Sequence, residues 1–255
     1  METERSWTED YYDAMTHYAW APEDLDHLSN PERERDRKHK SPNQTVERLR
    51  KIEVSFNHIL AFFFSLAPSS VVIELFTKHA SVEDYGEVRL LGRLKVEKNL
   101  CADVTQPDLV FDGERAFLTI EVKTSSKTKI EQLQKYAYLH ALGAKVKPGR
   151  IHALLFVSPY SEDRLFKEKL LGWDEIKMKA ADGLSNGDYK KASLTKILNS
   201  KAISFLRLPE ELKIGHCTFE QFAALVQDLC KQAIPDSVEG RLYRGLLVEL
   251  KARMV

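Results

Sequence analysis

Apolar and polar positions alternate with two different periods along this chain, and the change of period marks its elements. From Val46 to Leu66 the residues Leu49, Ile52, Phe56, Ile59, Leu60 and Phe63 recur at three and four, which predicts an amphipathic helix with Asn43 or Thr45 as candidate caps. After Pro68 the chain restarts, and the β-branched residues of Val71 to His79 leave helix and strand both open. Glu87 to Val96 reads as a strand. Asp108-Leu109-Val110-Phe111 and Phe117-Leu118-Thr119-Ile120-Glu121-Val122-Lys123 are short β-branched and aromatic runs separated by Asp112-Gly113-Glu114-Arg115, the pattern of a β-hairpin. Lys129 to Leu142 predicts a helix ending before Gly143, and Arg150 to Val157 a buried strand closed by Pro159. The succession predicts an α/β fold with a mixed central sheet flanked by helices.

Beyond this core the signals are sparser. Ser161 to about Leu171 reads as helix, Asp182 to Asp188 as a polar loop, Tyr189 to Asn199 as helix and Ala202 to Leu208 as strand. Thr218 to Gln232 and Val238 to Arg253 predict two amphipathic helices, the first with Thr218 as cap and Gln221 at the capping-box position. Residues 1–45 combine Trp7, Tyr11, Tyr12, Tyr18 and Trp20 with acids and a charged, Pro-bounded run. They are expected to form an arm and linker packed on the chain's own core or on another subunit. The expected organisation is therefore arm and linker at 1–45, an α/β core at 46–160 and a mostly helical extension at 161–255.

Composition narrows the function classes. With 43% hydrophobic residues the chain should bury a full core, yet its longest apolar stretch, Ile59 to Ala67, is too short to span a bilayer, so no membrane partner is expected. An acidic and aromatic N-terminus does not resemble an export signal, which makes the cytoplasm the expected location. Cys101, Cys217 and Cys230 are odd in number and widely separated, against a disulfide framework or structural zinc. The 38 basic residues balance 38 acidic ones, so any phosphate-facing surface has to be local. No Walker A loop, zinc-protease motif or dinucleotide fingerprint is present.

The chemistry concentrates in the hairpin. Residues two apart on a strand share a face, so Glu121 and Lys123 sit together while Val122 turns away. If residues 112–115 form a four-residue loop, Asp108 lies opposite Thr119 and diagonal to Glu121, roughly 7–8 Å away. A two-residue Asp112-Gly113 turn would instead separate the acids by roughly 13 Å along the strand, too far for one ion. Two carboxylates and an amine so placed suit a hard divalent cation, which needs few protein oxygens and keeps several waters. The Glu-x-Lys triplet alone carries no signal, because the chain contains four: Glu121-Lys123, Glu175-Lys177, Glu211-Lys213 and Glu249-Lys251. Only the first follows a Pro-Asp strand.

Pro107-Asp108, then Glu121-Val122-Lys123, then a helix carrying Gln132 and Tyr136 resembles the PD-(D/E)xK nuclease superfamily over roughly residues 46–158. The resemblance implies a restriction endonuclease-like αβββαβ core and Mg²⁺-dependent hydrolysis of phosphodiester bonds in DNA, with Mn²⁺ as substitute. It implies that Asp108, Glu121 and the Val122 carbonyl hold the metal and that Lys123 positions or activates water. Gln132 would approach from the helix, and a further acid would come from the first helix, where Glu53 is the best match and Glu47 and Glu74 are rivals. Lys127 and Lys129 are candidates for phosphate contact, and Asp103 is a further nearby carboxylate. DNA is the expected partner and a homodimer is compatible. The alternative reading is a catalytically silent nucleic-acid-binding or protein-interaction module that keeps the fold.

Overall fold

A computed structural model of the chain describes residues 6–15, 46, 49–51, 53–83, 86–91, 107–124, 126–166, 174, 175, 177, 178 and 212–254, with the backbone alone described at 131, 138 and 141–146. The chain divides into two compact units, Met1–Phe63 with Ala223–Val255, and Phe64–Phe222. The expected elements at 189–199 and 202–208 lie outside the described residues, as do Tyr18, Trp20, Asn43, Thr45 and Cys101.

The Phe64–Phe222 unit is built on a mixed sheet whose five strands lie in chain order. They are β1 (Val88–Leu90), β2 (Leu109–Gly113), β3 (Ala116–Val122), β4 (Ile151–Ser158) and β5 (Lys213–Thr218). The pairs β1–β2 and β2–β3 are antiparallel, and β3–β4 and β4–β5 are parallel. Every residue of β3 is buried, because helices cover both faces of the central strands. On one face Phe111 meets Phe64 and Phe76 at 5.2 and 6.5 Å between ring centroids. On the other, Val110, Phe117, Leu154 and Phe156 pack with Leu133, Tyr136 and Leu139 of the helix that connects β3 to β4. Each such side chain removed from water contributes about 1.5–3 kcal/mol, which fixes that helix on the sheet.

Several expectations are corrected. The hairpin does not use 112–115 as a four-residue loop: Asp112 pairs with Phe117 and Leu109 with Ile120, so the turn is Glu114-Arg115. Asp112-Gly113 belongs to β2 for a non-local reason. Gly113 pairs with Val88, and a Cβ on it would come within 2.5 Å of the Glu87 carbonyl oxygen, so glycine serves the close approach of β1. Ser69–Ala80 is a helix, its β-branched residues overridden by burial of Val71, Val72, Leu75 and Phe76. The crossover helix runs Ile130–Val146, through Gly143 rather than stopping before it, and Pro148 with left-handed Gly149 (φ 81°) supplies the stop. The strand expected at 87–96 is described as Val88–Leu90, with Leu91 N–H still bonded to the Val110 carbonyl at 2.8 Å and residues 92–96 outside the described set. Of the helix expected at 161–171, Glu162–Leu165 is described and residues 167–171 lie outside. Lys213–Thr218, expected within a helical extension, supplies the fifth strand.

In the other unit, residues 7–15 are helical and pack on the chain's own C-terminal helix, Val238–Arg253. Trp7 Nε1–H donates to the Leu242 carbonyl at 3.1 Å, and the Tyr12 hydroxyl donates to the Glu249 carboxylate at 2.6 Å. The described part of the aromatic arm is thus internal packing. Among the described residues, no single helix is long and apolar enough to cross a membrane.

Candidate functional site

The corrected register improves the geometry that the acids require. The described ladder ends at Leu109↔Ile120, so Asp108 and Glu121 are the next residues beyond that end rather than offset by two as the four-residue loop would have them. The Asp108 Oδ2 accepts the Val122 N–H at 2.7 Å, which ties the carboxylate to the end of β3. In a strand, a residue's N–H and C=O point to the same edge, so the Val122 carbonyl is directed toward the β2 side as well. Lys123 N–H donates to the Val157 carbonyl at 2.8 Å, so the ladder to β4 continues one residue beyond β3 and holds the lysine backbone.

Glu121 is the centre of the cluster. Its Oε1 lies 2.5 Å from Lys123 Nζ and accepts from Gln132 Nε2 at 3.3 Å, while its Oε2 accepts the Tyr136 hydroxyl. Gln132 and Tyr136 lie four apart on Ile130–Val146 and therefore share the face turned to the sheet. Glu121 is 3% and Lys123 9% exposed, so this is a buried charge pair rather than the exposed surface pair that a solvated sheet would give. The phenol of Tyr136 is fully buried, and its pKa is pushed well above the ordinary range, first by burial and then by the charges of Glu121 and Asp108. Tyr136 is therefore a proton donor throughout the working pH range, and both carboxylates act on it.

The remaining sequence candidates are placed as follows. Glu53 opens the helix Glu53–Leu66 and belongs to the other unit. Glu74 forms an exposed pair with Lys78 at 2.6 Å, one turn apart on its helix. Glu47 and Asp103 lie outside the described residues. Lys127 and Lys129 are exposed in the segment leading to the crossover helix, where Thr128 bridges Phe166.

Sequence reading missed two buried polar groups on the same face of the sheet. Thr119 Oγ1 and His140 Nε2 are 2.9 Å apart, and His140 Nδ1 lies 3.1 Å from His152 Nδ1. Ser158 Oγ and His216 Nε2 are 3.0 Å apart on β4 and β5. Spacing carried a usable signal for the first: Thr119 is two residues from Glu121 on a strand, and His140 four from Tyr136 on a helix.

The donor set is compatible with a hard cation, since a carboxylate offers about four lone-pair positions and three donors here engage Glu121. Among the described residues no group of three or more His, Cys, Asp or Glu side chains converges as ligands. A bound ion would thus depend on the two acids, a backbone carbonyl, water and substrate. Comparison with protein-family models, with curated proteins and with solved structures gives no match.

Proposed function

We propose that the chain is a metal-dependent phosphodiesterase. More particularly, we read it as a DNA nuclease of the PD-(D/E)xK type, its Phe64–Phe222 sheet carrying a restriction endonuclease-like core. The observation that carries this reading is the Asp108 carboxylate bound to the Val122 N–H beside Glu121, with Lys123 on the Glu121 carboxylate and a helix delivering Gln132 and Tyr136 to it. A structural ion pair requires only Glu121 and Lys123. The helix donors would serve either role, while a second carboxylate beside the pair is useful to a phosphodiester site.

Asp108, Glu121 and the Val122 carbonyl are the groups that would hold Mg²⁺ or Mn²⁺. When bound, such an ion supplies Lewis-acid polarisation of the phosphate and a more acidic water. The chain's own residues do the rest. Lys123 Nζ, 2.5 Å from Glu121 Oε1, orients the attacking water and neutralises charge beside it. Gln132 and Tyr136 restrict the Glu121 carboxylate to one orientation, and burial excludes bulk water from the pair.

The test is cleavage of linear, circular, branched and single-stranded DNA with Mg²⁺ or Mn²⁺, comparing wild type with folded Asp108→Ala and Lys123→Ala. Metal-dependent cutting that both variants lose is the expected result. Absence of cutting together with no metal-induced change in melting temperature would sink the reading and favour a silent binding module.

A further inference from the structure

Side-chain hydrogen bonds join the crossover helix Ile130–Val146 to β3 at two levels, Glu121, which also accepts from Gln132, and Thr119. Tyr136 donates to Glu121, and one turn further along the helix His140 meets Thr119 at 2.9 Å. Four helical residues advance about 6 Å, and two strand residues roughly 6.6 Å. The helix runs opposite to the strand, so the bonds form two matched rungs.

We propose that His140 is a positioning residue of the Glu121 site: its rung to Thr119 sets the axial register of the crossover helix on β3 and so keeps Gln132 and Tyr136 on the Glu121 carboxylate. The kinetic part of this proposal rests on the nuclease reading above.

The physical argument is one of directionality. Leu133, Leu139 and their sheet partners press the helix onto β3, but apolar contact does not distinguish one axial position sharply from another. A hydrogen bond does, because it weakens steeply when its geometry is lost. One rung leaves the helix free to pivot about Glu121; two fix both its height and its direction. The second rung is itself held. The His140 ring stands edge-on to Phe117 at 5.1 Å, and its Nδ1 is 3.1 Å from His152 Nδ1.

One proton arrangement is consistent along the whole line. His152 Nδ1–H donates to His140 Nδ1, His140 Nε2–H donates to Thr119 Oγ1, and the Thr119 hydroxyl donates to the Ala153 carbonyl at 3.5 Å. The group left over, the buried His152 Nε2, is then an unprotonated acceptor rather than a stranded N–H. Thr119 and His140 are both fully buried, so neither contacts solvent or substrate, and the role is positioning rather than chemistry.

The experiment uses the full chain with Thr119→Val, His140→Leu, Thr119→Ser and His140→Gln. The first two remove the rung with little change of volume. The last two keep a hydroxyl at 119 or an N–H near the Nε2 position. Mg²⁺-dependent kcat and KM on cleaved DNA are measured beside the downfield NMR resonance of the buried Tyr136 hydroxyl proton, assigned by its loss in Tyr136→Phe. Thr119→Val and His140→Leu should lower kcat on the order of 10²-fold, the usual consequence of misplacing a catalytic constellation by about 1 Å. KM should stay within about twofold, because ground-state binding is untouched. The hydroxyl proton should shift or vanish in these two, and Thr119→Ser and His140→Gln should restore it together with most of kcat.

Unchanged kcat and an unchanged proton in Thr119→Val overturn the proposal, as does equal loss in all four variants. If wild type cleaves nothing while the Tyr136 proton follows the variants as described, the nuclease reading fails and the register role stands.

Discussion

Replacing Lys123 by methionine tests whether the Glu121–Lys123 pair is a buried charge pair in need of neutralisation. The side chains are 11% and 4% exposed for Lys123 and Glu121, and their charged atoms are 2.5 Å apart. Lys123→Met keeps the stem and removes the cation, leaving a buried carboxylate that still accepts from Gln132 and Tyr136. Removing one partner of a buried pair costs about 3–5 kcal/mol. The two remaining donors, each contributing about 1.5–3 kcal/mol to a charged acceptor, hold the loss near the lower end, about 3 kcal/mol. At roughly 2–4 °C per kcal/mol for chains of this size, the melting temperature should fall by about 6–12 °C. The companion Glu121→Gln/Lys123→Met removes both charges and should recover more than half of the loss, since a neutral buried group carries a far smaller desolvation penalty. If Asp108 and Glu121 bind a divalent ion, Mn²⁺ at about ten times its Kd should return about 1.4 kcal/mol to Lys123→Met by mass action. Thermal and urea unfolding followed by circular dichroism, with and without Mn²⁺, measure all of this. A single variant within about 0.5 kcal/mol of wild type, or a double variant as unstable as the sum of its singles, would refute the buried-pair reasoning.

Three further outcomes follow from particular contacts. A Cβ at Gly245 would come within 1.9 Å of Trp7 Nε1, so Gly245→Ala should expel Trp7 from the C-terminal helix and cost about 1–3 kcal/mol in urea unfolding, a cost that disappears in a Trp7→Ala background. Glu249 is fully buried and accepts from Arg253 Nε and Tyr12 Oη, each at 2.6 Å; Arg253→Ala should therefore cost about 3–5 kcal/mol and Tyr12→Phe about 1.5–3 kcal/mol by denaturant midpoint. Burial lowers the pKa of His152 and of His216 to about 4, assisted by the charges of Arg150 and His79 respectively, and lowers that of His140 well below its ordinary 6.5. As pH falls from 6.5 toward 4 the unfolded chain binds these protons before the folded one does, so this stability is complete above 6.5 and lost toward 4. Urea midpoints across that window should fall, and His152→Gln and His216→Gln should each flatten the decline.

What the sequence disclosed follows the range of the interactions involved. Thr218 and Gln221 were legible as a capping box because both bonds are local: Gln221 N–H donates to Thr218 Oγ1 at 3.1 Å and Thr218 N–H to Gln221 Oε1 at 2.8 Å. Strands β2, β3 and β4 and the helix between them were legible from period and composition. Their register was not, because Asp112-Gly113 has turn chemistry by type and a strand position by virtue of β1, whose Val88 pairs with Gly113 from 25 residues earlier. Lys213–Thr218 was missed because its Gly215 and His216 look unlike a strand; its burial is conferred by β4 beside it. Within the candidate site, Asp108, Glu121, Lys123, Gln132 and Tyr136 come together, while Thr119 and His140 went unnoticed because a threonine and a histidine alone do not announce a contact.

The two Glu-x-Lys triplets whose surroundings are described show why the motif has meaning only with its period. On β3, Glu121 and Lys123 fall on one face and their charges meet at 2.5 Å. On the helix Val238–Arg253, the same spacing turns Glu249 and Lys251 about 200° apart at roughly 100° per residue. There Glu249 is fully buried and pairs with Arg253, four residues on, at 2.6 Å, while Lys251 is exposed. Arg50 adds its charge at 3.8 Å, close enough to pair and too long for a hydrogen bond. That second carboxylate is enclosed by guanidinium groups and a tyrosine hydroxyl, a surrounding that neutralises it by protein cations. The first meets an amine and two neutral donors, and the Asp108 carboxylate is bound to the N–H of the next residue, Val122. Neighbouring acids repel unless a cation lies between or beside them. A second carboxylate close to the Glu121–Lys123 pair, set against the guanidinium groups around Glu249, is the physical reason to look for a divalent ion at the first triplet rather than the second.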